Sequence, residues 1–404
     1  MAVQNYTVSY YTSATGLQPL TNVVNINVNV GRQRQLDQYS ASTAQIVIRY
    51  PTGYASPITQ LVPGTIIEIK NSATNLRNFL GRISNVQVQF DKPYSGGVGN
   101  GDYLTISCEA GLAEFGRKSG QGYAMAAAKL NTQLGDVYVQ SGYYASLDSG
   151  VGDQDLSATT VNGTWADFLN SAALSLNARI IDVIDSFVVE LRTLFLSPFL
   201  VRDAGVNFSD TTNDATNQVY DGITFASYAD NFYTQVTVDP EVPAAQTVTS
   251  GSAPYRTYTV NTLNATTGQA LDYANYLLNN YKTPQVAISS ISCLANAQNT
   301  MALDDLGAGA DKCGRQIGKR VTVAFRGTTY PCIIEGYTFT AQPGDARYTY
   351  YVSSADLNAY LILDNATFGI LGATDIIYDT PMDYNEAGYI YNDDTANNGN
   401  RLGY

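Results

Sequence analysis

Carboxylates are the residues best supplied for chemistry in this chain. It has 35 Asp and Glu and no His. Without His there is no Ser-His-Asp or Cys-His nucleophile, no His-ligated metal and no imidazole base. Two carboxylates can still cleave a glycoside, which makes cell-wall hydrolysis worth testing. The glutamates are Glu68, Glu109, Glu114, Glu190, Glu241, Glu335 and Glu386, and spacing alone pairs none of them. Glu68 and Glu335 fall in alternating strands, where they are expected to face solvent. Two loop clusters, Asp148/Asp153/Asp155 and Asp210/Asp214/Asp221, offer oxygen donors to calcium. Neither matches the spacing of a calcium-binding loop.

Other chemistries lack their motifs. "IGKRV" has a Gly-Lys but not the glycine spacing or hydroxyl of a phosphate loop. "GVGNGD" is Gly-rich, but it joins two β runs and reads as a hairpin loop. Cys108, Cys293, Cys313 and Cys332 form no C-x-x-C pair, so buried free thiols are expected. No cofactor or metal is expected.

The totals point the same way. Net charge is −13, and the 22 Lys and Arg never run more than two together. That argues against nucleic-acid binding, which needs clustered basic residues. Charged residues are 14% of the chain, with 31 Tyr among the residues that take their place. Such a surface suits large polar interfaces. The N-terminus lacks the features of a secretory signal, and no run approaches 18 apolar residues. The chain is therefore expected to fold in the cytoplasm where it is made.

The elements that must position any site divide the chain into four segments. Residues 1–118 read as all-β, with Val24, Ile26, Val28 and Val30 alternating against Asn, and Val86, Val88 and Phe90 on one face. Residues 119–219 read as mixed α+β. There an Ala-rich helix over 122–135 ends at Gly135, and Thr164 with Asp167 makes a capping box. Residues 220–378 are a second β set around a helix over 267–281. That helix is opened by a Thr266/Gln269 box, and its stripe is Leu271, Ala274, Leu278 and Tyr281. Within this set 240–254 reads as a surface loop, and 317–357 as an antiparallel group. The tail, 379–404, is acidic and without period, and is expected to be held by assembly contacts.

Six stretches, in order, resemble the minor tail proteins (tail-hub or baseplate-hub proteins) of long-tailed bacteriophages. They are "VNINVNVGRQRQLDQYSASTAQIVIRY" with Gly31-Arg32 before a polar arm; "LVPGTIIEIK" with "NFLGRISNVQVQF", holding Phe79 and Gly81; and "YLTISCEAGLAEFGR", where Phe115 stands in place of a usual Leu. There follow "QALDYANYLLNNYKTPQVAISSISC"; then "IGKRVTV", "CIIEGYTFTA" and "YTYYVSSAD"; and last "AYLILDNATFGIL". In that last stretch Leu363, Asp364, Phe368, Gly369 and Leu371 would close the second barrel. The likeness covers roughly 20–118 and 220–375.

The resemblance implies a mainly β (α+β) fold: two antiparallel β-barrel-like domains, an inserted mixed segment and additional helices. It implies a non-enzymatic virion protein of the tail tip, a homotrimeric ring. The ring would join the tail tube and distal ring to the fibre or spike, around the end of the tape-measure protein. The alternatives are a hexameric distal tail ring and a host-surface glycan-binding adhesin, with the cell-wall hydrolase behind them.

Overall fold

The computed structural model describes residues 3–354 apart from 4, 13–14, 35, 51–60, 73–76, 91–100, 144, 148–153, 177, 182–193, 198–201, 204–206, 214–216, 228–231, 284–285, 296–316 and 318. Asp148, Asp153, Asp214, Cys313, the tail and the closing motif Leu363, Asp364, Phe368, Gly369 and Leu371 lie outside the described residues.

The chain opens with seven strands: β1 (Tyr6–Thr12), β2 (Gly16–Pro19), β3 (Val23–Gly31), β4 (Thr43–Tyr50), β5 (Ile66–Asn71), β6 (Arg77–Gln89) and β7 (Asp102–Glu109). A short helix, α1 (Gly111–Gly116), leads into small pairings built from β8 (Ala124–Met125), β9 (Ala128–Lys129), β10 (Ala145–Leu147), β11 (Asp155–Leu156), β12 (Thr159–Thr160), β13 (Arg179–Ile181) and β14 (Leu194–Ser197). Among these lie α2 (Leu130–Ser141) and α3 (Trp165–Ser175). Next come β15 (Arg202–Asp203), β16 (Asn207–Ser209), β17 (Asn217–Val219), β18 (Gly222–Ala226), β19 (Gln235–Pro240), β20 (Gln246–Thr249) and β21 (Thr257–Thr262). Helix α4 (Thr267–Tyr281) feeds β22 (Ala287–Leu294), β23 (Lys319–Phe325), β24 (Thr328–Gln342) and β25 (Asp345–Ser354).

The described residues are thus mainly β, and 15 of their strands form one sheet, mostly antiparallel. Its order is β17-β16-β23-β24-β3-β4-β7-β6-β5-β1-β2, with β25, β22 and β18 running on from β24 and β15 beside β23. Strand β24 is the node. Its first half pairs with β23, from Phe325↔Thr328 to Arg320↔Ile333. Its second half pairs with β3, from Gly336↔Gly31 to Ala341↔Ile26. Its pairs with β25 run from Cys332↔Ser354 to Gln342↔Asp345, with a bulge between Ile334 and Gly336. The first strand set curls until Val3 N–H donates to Val23 O at 2.7 Å, but among the described residues no ladder closes a barrel.

Both strand sets bury their apolar faces in one core. Ile26, Ile46, Phe79 and Ile106 share it with Ile291, Val323, Phe339 and Tyr350. The rings of Tyr6 and Phe339 meet across it at 4.6 Å. A second core gathers Trp165, Phe168 and Leu169 of α3 with Leu134 and Val137 of α2, Phe115 and Tyr39. A third packs α4 through Ala270, Tyr273, Ala274 and Leu277 onto Val236, Val238 and Val260. Among the described residues no helix is long and apolar enough to cross a membrane.

Both expected capping boxes form, at Thr164/Asp167 and at Thr266/Gln269. Several local expectations shift. The helix expected over 122–135 begins at Leu130 and ends with Gly142 at φ 78°, because 124–125 and 128–129 pair with β12 and β11 instead. The segment read as all-β contains a short helix over 111–116. The expected loop 240–254 contains β20, which pairs with β19. On α4 the expected Ala274, Leu278 and Tyr281 are buried, but Leu271 is exposed, and Ala270, Tyr273 and Leu277 complete the buried face. A register shift between Val23 and Asn25 gives Val23 the core place expected for Val24. Phe90 lies exposed beyond the end of β6.

Candidate functional site

The site grows from a close approach of two glycines. Gly31 ends β3 at φ 78° and pairs with Gly336 of β24. A Cβ on Gly31 would sit 2.5 Å from Glu335 O, and one on Gly336 would sit 2.5 Å from Arg32 O. Only a pair without side chains lets these backbones meet. The approach sets Arg32 beside Glu335. Arg32 N–H donates to Glu335 O at 3.1 Å, and Arg32 Nε donates to Glu335 Oε2 at 2.9 Å. A second guanidinium nitrogen of Arg32 lies 2.9 Å from the same oxygen, and Ser353 Oγ donates to Glu335 Oε1 at 2.6 Å. The Glu335 side chain is 0% exposed and that of Arg32 is 10% exposed. Burial alone would lower the pKa of Arg32; the charge and hydrogen bond of Glu335, together with the nearby Tyr39 and Tyr281, outweigh it, and the guanidinium is held above its ordinary pKa.

From Arg32 an arm reaches the other two cores. The guanidinium donates to Asp37 O at 3.2 Å and lies 4.5 Å over the ring of Tyr39. Asn170 of α3 clamps the arm: its Oδ1 accepts Tyr39 N–H at 3.1 Å, and its Nδ2 donates to Tyr39 O at 3.3 Å. Tyr39 belongs to the second core, and Leu36 packs against the third. On α4, burial first and Glu335 among the nearby charges push the Tyr281 phenol well up, while Arg32 opposes them. Sheet, α3 and α4 therefore meet around one buried ion pair.

The remaining expected motif residues lie elsewhere. Phe79 is buried in the first core on β6, three strands from β3. A Cβ on Gly81 would come within 2.6 Å of its ring and 2.5 Å of Glu109 O, so Gly81 makes room for Phe79. Alternation predicts that Glu68 and Glu335 face solvent, but both are buried. Glu68 is 3% exposed and pairs with Arg77 and with Lys70 at 3.3 Å. Asp210 accepts Arg326 N–H at 2.7 Å, and Asp221 pairs with Arg347. Among the described residues no three candidate ligands gather for a metal ion. Cys108 and Cys293 are buried free thiols, and Cys332 is buried too. Sequence reasoning reached Gly31 and Arg32 but missed Glu335, Gly336, Ser353, Tyr39 and Asn170. The available signal was one Glu-Gly inside a β run otherwise free of charge, but it meets Gly-Arg only once the β3–β24 register is known.

No family model matches the chain, and no curated protein sequence does. Solved structures do. The 43 kDa tail protein of prophage MuSo2 from Shewanella oneidensis is 12% identical with a TM-score of 0.60, over 87% of this chain and 99% of that one. A tail protein from Neisseria meningitidis MC58 is 13% identical with a TM-score of 0.57, over 87% and 97%. The E. coli protein c3393 is a type VI secretion component described as similar to T4 bacteriophage tail proteins gp27 and gp5. It is 10% identical with a TM-score of 0.50, over 86% and 77%. At such identities the likeness is one of architecture, and it covers most of the chain: the chain has the fold of phage tail proteins.

Proposed function

We propose that the chain is a structural protein of a phage tail, part of the virion. One observation carries this reading: the fold matches two tail proteins over 99% and 97% of their own lengths, nearly the whole of each. At finer grain, the reading is a homotrimeric hub ring at the tail tip. Its segments 1–118 and 220–378 would present a pseudo-sixfold face to the tail tube or distal ring. Fibre or spike would attach on the other side, with the tape-measure protein ending inside. The role is assembly rather than catalysis. In support, the carboxylates of Glu68 and Glu335 are both engaged in buried ion pairs.

Light scattering and class-averaged electron images of the purified chain test the reading. The expected result is a three-fold ring. A six-fold ring would replace the hub with a distal ring, and a monomer at every concentration and with every tail partner would remove the ring altogether.

A further inference from the structure

We propose that the cavity beside the Arg32 arm is a binding site for a neutral saccharide. It encloses about 350 Å³ between the arm, α3, β21 and α4, within the range of small-ligand sites. Tyr258, Tyr273 and Tyr276 line it, with Asp37, Gln38 and Asn261 exposed at its mouth. The rings of Tyr273 and Tyr276 lie near-parallel, 14° apart in plane. Tyr258 and Tyr276 are only half-buried.

The chemistry of the lining selects the ligand. A pyranose has an apolar C–H face and a rim of hydroxyls that both donate and accept. Tyrosine rings suit the face. The amides of Gln38 and Asn261 donate and accept, and the Asp37 carboxylate accepts from adjacent hydroxyls. Charge narrows the class further. The Arg32 charge is neutralised by Glu335, and Asp37 is the acidic residue of the lining, with no ion pair to it among the described residues. Like-charge repulsion then rejects uronic acids, sialic acids and phosphates. A second cavity of about 570 Å³ shares Ser171 and Asn261 with the first and carries Asp239 and Glu241 on its wall. The two cavities are neighbours across Ser171 and Asn261, and the carboxylates of the second are again unfavourable to anions.

The inference stands apart from the ring reading, because binding is measured on the full chain in whatever oligomeric state it adopts. The probes are glucose, galactose, rhamnose, N-acetylglucosamine and their disaccharides, with glucuronate and sialic acid as the acidic set, followed by saturation-transfer NMR and calorimetry. At least one neutral saccharide is expected to bind at about 1 mM or tighter. Tyr276→Ala and Asn261→Ala should each weaken it by about tenfold or more, the cost of one good contact. Asn261 is exposed, so its variant keeps the fold if Tyr276→Ala does not. Tyr138→Ala, at an exposed tyrosine on α2, should leave binding unchanged. Three results would overturn the proposal: no neutral saccharide bound at about 10 mM, acidic sugars bound as well as neutral ones, or affinities indifferent to both cavity variants.

Discussion

Arg32 and Glu335 lie 303 residues apart and share one buried hydrogen-bond network. Removing one partner strands a charge away from water; removing both does not. Arg32→Met or Glu335→Gln alone should therefore cost about 3–5 kcal/mol, whereas the double change Arg32→Met with Glu335→Leu should return close to the parent. Urea midpoints of the three variants check this, and equal losses in single and double variants would refute it. Strand alternation puts Glu335 in solvent for a definite reason. Alternation assigns faces by counting residues, and the bulge between Ile334 and Gly336 breaks the count. One extra residue turns a side chain to the opposite face. Gly31-Arg32 was legible because the end of an apolar run marks it; its partner was not, because register over such a distance leaves no local trace.

At the scale of elements, punctuation was legible and tertiary pairing was not. Both threonine capping boxes could be read because their hydrogen bonds close within three residues. The start of α2 could not, because Ala-rich 124–129 has helical propensity yet spends it on short pairings with β11 and β12. The expected terminal glycine, Gly135, therefore lies inside the helix, and nothing stands within 4 Å of where its Cβ would be. Gly135→Ala should stabilise by about 0.5–1 kcal/mol through helix propensity. Gly336→Ala should do the reverse, by about 1–3 kcal/mol, since its methyl meets the backbone of the β3 end. Hydrogen exchange should show the first effect in α2 and the second in β3 and β24. Matching effects of the two substitutions would mean that the Gly31–Gly336 approach is not tight.

Over the whole molecule the mainly β character was plain from composition and period. That the two strand sets share a core was not, because each set alternates well enough to be self-sufficient on paper. The shared interior has a chemical signature. Burial holds the Cys108 and Cys293 thiols and the Tyr273 and Tyr281 phenols above their ordinary pKa values. In alkali the unfolded chain gives up these protons while the native chain keeps them, so the native state binds more protons and stability falls as pH rises. This contribution is level below the usual thiol range and declines through about 8.5 for thiols and 10 for phenols. Urea midpoints measured across that range should drop on its alkaline side; a flat profile to about pH 11 would show the four groups to be solvated.

Strand β24 also determines how the molecule bears tension. Its six residue pairs with β3 join the beginning of the chain directly to the last described hairpin. Were β3 and β24 drawn past each other along their common axis, those pairs would be loaded side by side, in shear, and would yield together rather than one after another. Neither strand set can slide past the other without breaking these six pairs and the core that the two sets share.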